Sequence, residues 1–478
     1  MKKFKVLFLY PNVPMSTLVP INIPLLSAIL KQNDIETHLF DTTYYYSYEL
    51  KNFEKEKEKL LQLRPFNLVA QYKDNVVEDW QKTVNDFKPD LIAVTVVEDT
   101  IDLALKLLES TKDFGCKVIA GGVGATFNSD RLSSSGLINY ICRGEGEDFI
   151  LDVCNYLSMG ISSFQKQYGL VDLNKLPYPD FDIFPDDRIV RLMNKSKYRM
   201  LQIEVDRGCA GGQCTYCCAP ALKNLYTNQK YYRRKTNDRL IAELKFLKNK
   251  YKPNYFDFGS ETFLLRPLSE LQDLMKQYKK EIDIPFWCQT RPETITEDRL
   301  KALVMGGVSD MQFGIEHGNE NFRVNWLRRK GNNDVIVRNM HLIEKYKIPY
   351  TINMILGFVH ETRDLVWDSI NICKNFNPKT INVYMATIYK GTWLHKIYTQ
   401  EGYLTVNSKT DQLLDGNTGM KYLYLTKEEF KGLQRTFPLY ARLDESFYPR
   451  IKIAEKFDEE GNKTFAELRE VFVREFYQ

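Results

Sequence analysis

No apolar run in this 478-residue chain approaches the ~18 residues that cross a bilayer. The longest, residues 91–97 and 350–359, are strand-sized, so a membrane-spanning helix is not expected. Charge of one sign is also lacking. Lys and Arg number 66 against 62 Asp and Glu, and a net +4 provides no basic stripe for nucleic acid. The start, Met1 to Asn12, has two early lysines and some apolar residues, but Lys5 interrupts the run and Pro11-Asn12 ends it. Without a small-residue cleavage site this is not expected to be a signal peptide, and a cytoplasmic protein is expected. Disorder is excluded by 44% hydrophobic against 27% charged residues. What the chain does have is length for about three domains and nine cysteines. In a compartment where disulfides are rare, clustered thiols point to metal.

The first part alternates short apolar runs with helical segments. Strands are predicted at Phe4 to Tyr10, His38 to Phe40, Leu91 to Val97, Lys117 to Ala120 and Leu137 to Cys142. Helices are predicted at Pro24 to Lys31, Leu50 to Leu63, Asn75 to Phe87 and Ile101 to Lys112. This pattern predicts an α/β fold: a doubly wound, Rossmann-like domain over residues 1–160. Gly121-Gly122 and Gly144 stand just beyond strand ends, where they either form turns or admit a ligand close to the backbone. Residues 161–199 are read as a linker, with three prolines between Leu176 and Asp186. A second series of six strands, each followed by a helix, predicts most of a parallel, TIM-like barrel over residues 200–400. Residues 401–478 are read as a C-terminal cap whose aromatic residues either close the barrel or pack a core, with packing favoured.

After the first strand of the second series comes Asp206-Arg-Gly-Cys209-Ala-Gly-Gly-Gln-Cys214-Thr-Tyr-Cys217-Cys218. Thiolates on one short glycine-containing loop suit either zinc or an iron-sulfur cluster. Zinc normally wants a fourth ligand at matched spacing, yet the next cysteines are the isolated Cys288 and Cys373. Three ligands on the catalytic face of a barrel favour a cluster with one iron open.

These residues resemble the radical S-adenosylmethionine (SAM) enzymes, in particular those with an N-terminal cobalamin-binding (B12-binding) domain. The resemblance implies that Cys209, Cys214 and Cys217 hold a [4Fe-4S] cluster, with Tyr216 as the aromatic residue before the third cysteine. The first gap has four residues where the family usually has three, and Gly211-Gly212 can absorb the extra one. Phe258-Gly259-Ser260-Glu261 resembles the segment that meets the amino group of SAM, Glu316 the residue that meets the ribose, and Ile355-Leu356-Gly357 the segment beside adenine. Arg291 is expected to pair with the SAM carboxylate or with substrate. Thr387 is expected beside the cofactor, just before Tyr389-Lys390-Gly391-Thr392 at the family's Pro-x-Gly-Thr position.

In the first domain, segments bearing Thr95 and Glu98, then Gly121, Gly122 and Thr126, then Gly144 and Glu145, resemble three cobalamin-facing strand ends. The five histidines are His38, His317, His341, His360 and His395. None lies between residues 39 and 316, so the Asp-x-His-x-x-Gly motif that gives cobalt a lower ligand is absent. The domain therefore either binds cobalamin without that ligand or has lost it; the retained glycines favour binding. The resemblance implies a methyltransferase acting on an unactivated carbon of a small-molecule or peptide substrate. It would cleave SAM reductively to a 5′-deoxyadenosyl radical, with a flavodoxin or ferredoxin as electron donor. A radical rearrangement, cyclisation or oxidation without methyl transfer is the rival enzyme class. A non-enzymatic cobalamin- or redox-sensing protein is the rival outside it.

Overall fold

The computed structural model describes residues 3–12, 18–45, 60, 72–160, 168–193, 196–405, 408, 410 and 416–476. The helix expected at residues 50–63 falls, but for Leu60, outside the described residues.

The first domain is a five-stranded parallel sheet of β1 (Lys5–Tyr10), β2 (Glu36–Asp41), β3 (Leu91–Thr95), β4 (Lys117–Gly121) and β5 (Tyr140–Ile141), in the order β2-β1-β3-β4-β5. The apolar run of β3 is buried on both faces, as a central parallel strand requires. One face packs Leu7, Leu9, Ile92 and Val94 against Trp80 and Leu107. The other, with Val6, Phe8, Ala93 and Ile119, belongs to a core cluster that continues into the second unit. The chain leaves β1 for β2 on one side and β3 on the other, so a crevice opens at the carboxyl ends of β1 and β3.

The proline-rich stretch before the second unit contains β6 (Val190–Met193), which turns back as an antiparallel edge onto β7 (Ser196–Glu204). A two-residue ribbon pairs β8 (Asp206–Arg207) with β9 (Arg233–Arg234). The other strands are β10 (Tyr255–Gly259), β11 (Phe286–Thr290), β12 (Val308–Glu316), β13 (Tyr350–Leu356) and β14 (Thr380–Met385). The sheet order β14-β13-β12-β11-β10-β7-β6, parallel from β14 through β7, makes a curled half-barrel. Its outer face is apolar: Ile352, Met354 and Leu356 on β13 are fully buried. The inner face carries Gln289, Gln312, Asn353 and Asn382, with Asn382 Nδ2 donating to Asn353 Oδ1 at 3.0 Å. Thr236, Thr296 and Thr362 accept backbone N–H groups at the starts of barrel helices, which is why those helices begin there.

A helix at Lys427–Arg442 covers β14, where Gln434 Nε2 donates to the carbonyl of Val383 at 3.0 Å. Buried Arg435 donates to the carbonyls of Ala454 and Lys456 and to Asn462, tying the three terminal helices together. Phe437 and Tyr440 are buried in this cap, so those aromatics pack rather than line an opening. Among the described residues, no helix is long and apolar enough to cross a membrane.

Candidate functional site

The cysteine loop runs from β8 to a short helix at Ala219–Asn224. Thr215 anchors it: its N–H donates to Leu327 O at 3.0 Å and its hydroxyl to Trp326 O at 2.8 Å, while its carbonyl accepts from Leu394 N at 3.0 Å. At Cys217 the sulfur accepts the N–H of Ala219 at 3.4 Å. A Cβ at Gly211 would lie 2.5 Å from Arg291 Nη1, so glycine lets the longer first gap lie flat against that arginine.

Cys209, Cys214 and Cys217 line one side of a cavity of about 170 Å³; Glu261, Gln289, Arg291, Gln312, Glu316, Arg329 and Asn353 line the rest. Glu316 ends β12 with φ 72°, a left-handed conformation that a residue with a side chain adopts at a cost. The pairing register with β13 shifts there, and the carboxylate folds back over Gly314. Burial raises its pKa, opposed by Arg329 and by a hydrogen bond from the Tyr216 hydroxyl. Arg329 also donates to the carbonyl of Gly314. Burial likewise raises Cys209. Glu261 is reached by solvent from the cavity yet ringed by enough protein that desolvation raises its carboxyl above the ordinary range. Both observations hold for a side chain projecting into an internal space.

A second cavity, about 390 Å³, lies between the first domain and the barrel. Thr95, Gly121, Gly122, Thr126, Gly144 and Glu145 line it from the first domain, and Arg207, Cys218, Tyr226 and Tyr231 from the barrel. Glycine is required here: a Cβ at Gly122, φ 96°, would stand 2.7 Å from Val96 O, and one at Gly144, also φ 96°, 2.1 Å from Tyr226 Oη. The domains are held around it by Arg207, which reaches Glu147 at 2.8 Å and Glu145 at 3.3 Å, and by Arg233 on Glu145. Glu145 N–H donates to Tyr226 Oη at 2.7 Å. Cys217 and Glu261 line both cavities.

Other expected residues lie elsewhere. Ser260 donates to buried Asp206 at 2.7 and 2.8 Å, so it fixes the turn after β10. Gly259 packs under Ile21, and neither it nor Ser260, Ile355 or Thr387 lines either of these two cavities. Glu98 joins the domains instead, accepting from Lys390 N at 3.0 Å and Asn128 Nδ2 at 3.4 Å.

Sequence reasoning missed Gln289, Gln312, Asn353 and Arg329 in the first cavity. For the three on strands the signal was alternation, which sets polar residues at every second position on one shared face. It also missed Glu361, which accepts N–H from Gly357 at 2.6 Å and Phe358 at 3.1 Å and so fixes the loop after β13. His317 Nε2 stands 3.2 Å from Glu361 Oε1, and its Nδ1 accepts from Asn319 N at 3.0 Å.

Residues 203–373 match the radical SAM superfamily, the span that holds the cysteine loop and, in full, four of the six parallel barrel strands, β10 to β13. The chain thus carries a segment that matches the radical SAM superfamily. It is 23% identical over 411 residues to an uncharacterised methyltransferase of Pyrococcus horikoshii, covering 81% of this chain and 85% of the relative. Among solved structures it is similar to the radical SAM methyltransferase TsrM of Kitasatospora setae, with cobalamin and a [4Fe-4S] cluster bound: TM-score 0.64, 14% identity, 99% of this chain and 100% of that one. It is similar also to the cobalamin-dependent radical SAM enzyme OxsB, with aqua-cobalamin and SAM bound: TM-score 0.65, 13% identity, 99% and 71%. The chain thus has the Rossmann-plus-half-barrel fold of those two structures over nearly its whole length.

Proposed function

We propose that this chain is a cobalamin-dependent radical SAM methyltransferase, with the cluster on Cys209, Cys214 and Cys217, SAM in the smaller cavity and cobalamin in the larger. The carrying observation is that the two cavities meet at Cys217 and Glu261. Two reactive groups held there would face each other across the junction of the two cavities. The residues fit the groups. Three thiols, Cys209, Cys214 and Cys217, line one wall, with Glu261 and Arg291 beside them. In the larger cavity the cradle exists only because Gly122 and Gly144 carry no Cβ. No histidine lines it, which agrees with a cobalamin held without an imidazole from the protein.

When bound, the cluster, SAM and cobalamin supply the electron, the radical and the methyl group. The protein orients them. Glu261 places a carboxylate where a cationic ammonium is wanted, Arg291 a guanidinium where a carboxylate is wanted, and Glu316 an acceptor for hydroxyls. The acceptor of the methyl group is read as an unactivated carbon. Anaerobic incubation with SAM, dithionite, cobalamin and a methyl acceptor tests this. Methyl transfer by this route yields 5′-deoxyadenosine together with S-adenosylhomocysteine, and Cys209→Ala, Cys214→Ala and Cys217→Ala each abolish both. Formation of 5′-deoxyadenosine alone, with no homocysteine product, would contradict methyl transfer and favour rearrangement, cyclisation or oxidation.

A further inference from the structure

We infer that Trp326, Trp393 and the cations around them form the docking face for a small acidic protein that carries one electron to the cysteine loop, an inference that rests on the function proposed above. The segment 326–330 alternates across the wall of the site. Leu327 and Arg329 are buried, and Arg329 lines the cavity of the cysteines. Trp326, Arg328 and Lys330 point outward. Arg328 achieves this in a left-handed conformation, φ 48°, a strain that only surrounding structure maintains.

Trp393 reaches the same place from another element. The carbonyl of Thr215 accepts from Leu394 N, next to Trp393, and the Thr215 hydroxyl donates to the carbonyl of Trp326. Both exposed indoles therefore belong to residues one hydrogen bond, or one peptide beyond it, from the neighbour of Cys214. Trp326 is 37% exposed and Trp393 38%, so both indoles held by Thr215 offer apolar area to a partner. Isolated exposed apolar residues are ordinary, whereas a set fixed to one loop residue marks an interaction site.

The chemistry of the partner follows from charge. Arg328 lies over the Trp393 ring at 4.6 Å, and Lys396 follows Trp393 by three positions on the helix Trp393–Gln400, hence on its face. Among the described residues Arg328, Lys330 and Lys396 form no ion pair, while Glu401 stands 4.0 Å from His360, which stacks on Trp326. Indoles ringed by unneutralised cations suit an acidic protein with an exposed redox centre. The other side of the cysteine loop, at Cys217 and Cys218, lines the cavity against the first domain. In the step itself one electron leaves the carrier, which is oxidised, and enters the iron-sulfur centre, which is reduced; no bond forms or breaks.

The test uses the anaerobically purified full chain with an acidic flavodoxin and an acidic ferredoxin as probes. Titration of each oxidised carrier should show binding to at least one that weakens steeply between 50 and 300 mM salt. Arg328→Glu with Lys396→Glu should weaken it at least tenfold. With the reduced carrier, 5′-deoxyadenosine formation by the double variant should fall by a similar factor, while dithionite-driven formation stays at the wild-type rate. Unchanged carrier affinity in the double variant, or no binding of either carrier to the wild type, overturns the docking face. Failure of dithionite-driven cleavage in the wild type overturns the radical function instead, and the binding titration still decides the docking face.

Discussion

Glu316 bends its own backbone to bring its carboxylate under Tyr216 and Arg329, and strain of about 1–3 kcal/mol is kept only where neighbours enforce it. Glu316→Gln keeps the shape and removes the charge. We expect SAM affinity to fall about tenfold or more, roughly 1.4 kcal/mol, measured by equilibrium binding, with the fold unchanged by circular dichroism. Away from the site, Asp257 is buried on β10 with Oδ1 unpartnered, and burial raises its pKa to about 7 against the pull of Arg191 and Gln202. A carboxyl whose pKa is higher folded than unfolded stabilises the protein below the unfolded value and loses that contribution as pH rises through the folded value. Wild-type thermal stability should therefore decline between about pH 4 and pH 7. Asp257→Asn should flatten part of that decline, leaving the part due to Asp206, also raised to about 7 by burial. An unchanged slope in thermal melts across that range would contradict the assignment.

Elements differ in how openly the sequence announces them. The barrel strands were legible because a parallel sheet covered by helices needs apolar runs, and the helices because Thr236, Thr296 and Thr362 stand at their starts. The cysteine loop was legible through its spacing. The edge strand β6 was hidden, since it follows a proline-rich stretch, spans four residues and gains its identity only by pairing with β7. The inward polar residues Gln289, Gln312 and Asn353 were hidden too, because curvature decides which face of a strand becomes the interior. Glu98 and Ser260 stood at strand ends as expected of cofactor contacts, but their partners Lys390 and Asp206 are distant in sequence. At this scale the cap helix offers a clean test. Thr426 and Glu429 form a reciprocal capping box, so Thr426→Ala should cost about 1 kcal/mol of stability in thermal or denaturant unfolding.

At the scale of the whole molecule the two cavities meet across the domains, so on the proposed function the joint between the domains is part of the site. Two clasps secure it. One joins Glu145 and Glu147 to Arg207 and Arg233; the other joins Glu98 to the backbone of Lys390 and Asp99 to the Tyr389 hydroxyl. At the second clasp Gly391, φ 85°, lies so close to Phe127 that a Cβ would stand 2.3 Å from its ring. Gly391→Ala should wedge the domains apart, weakening cobalamin binding at least tenfold in equilibrium titration while SAM cleavage with dithionite persists; unchanged cobalamin affinity would contradict a shared site. The central claim is tested most directly by cofactor analysis of the anaerobically purified chain. The account predicts about four iron, four sulfide and one cobalamin per chain, with the iron lost in Cys209→Ala and the cobalamin lost in Gly122→Ala. A protein that takes up a single zinc at the cysteines, or binds no cobalamin when its cluster is intact, would contradict it.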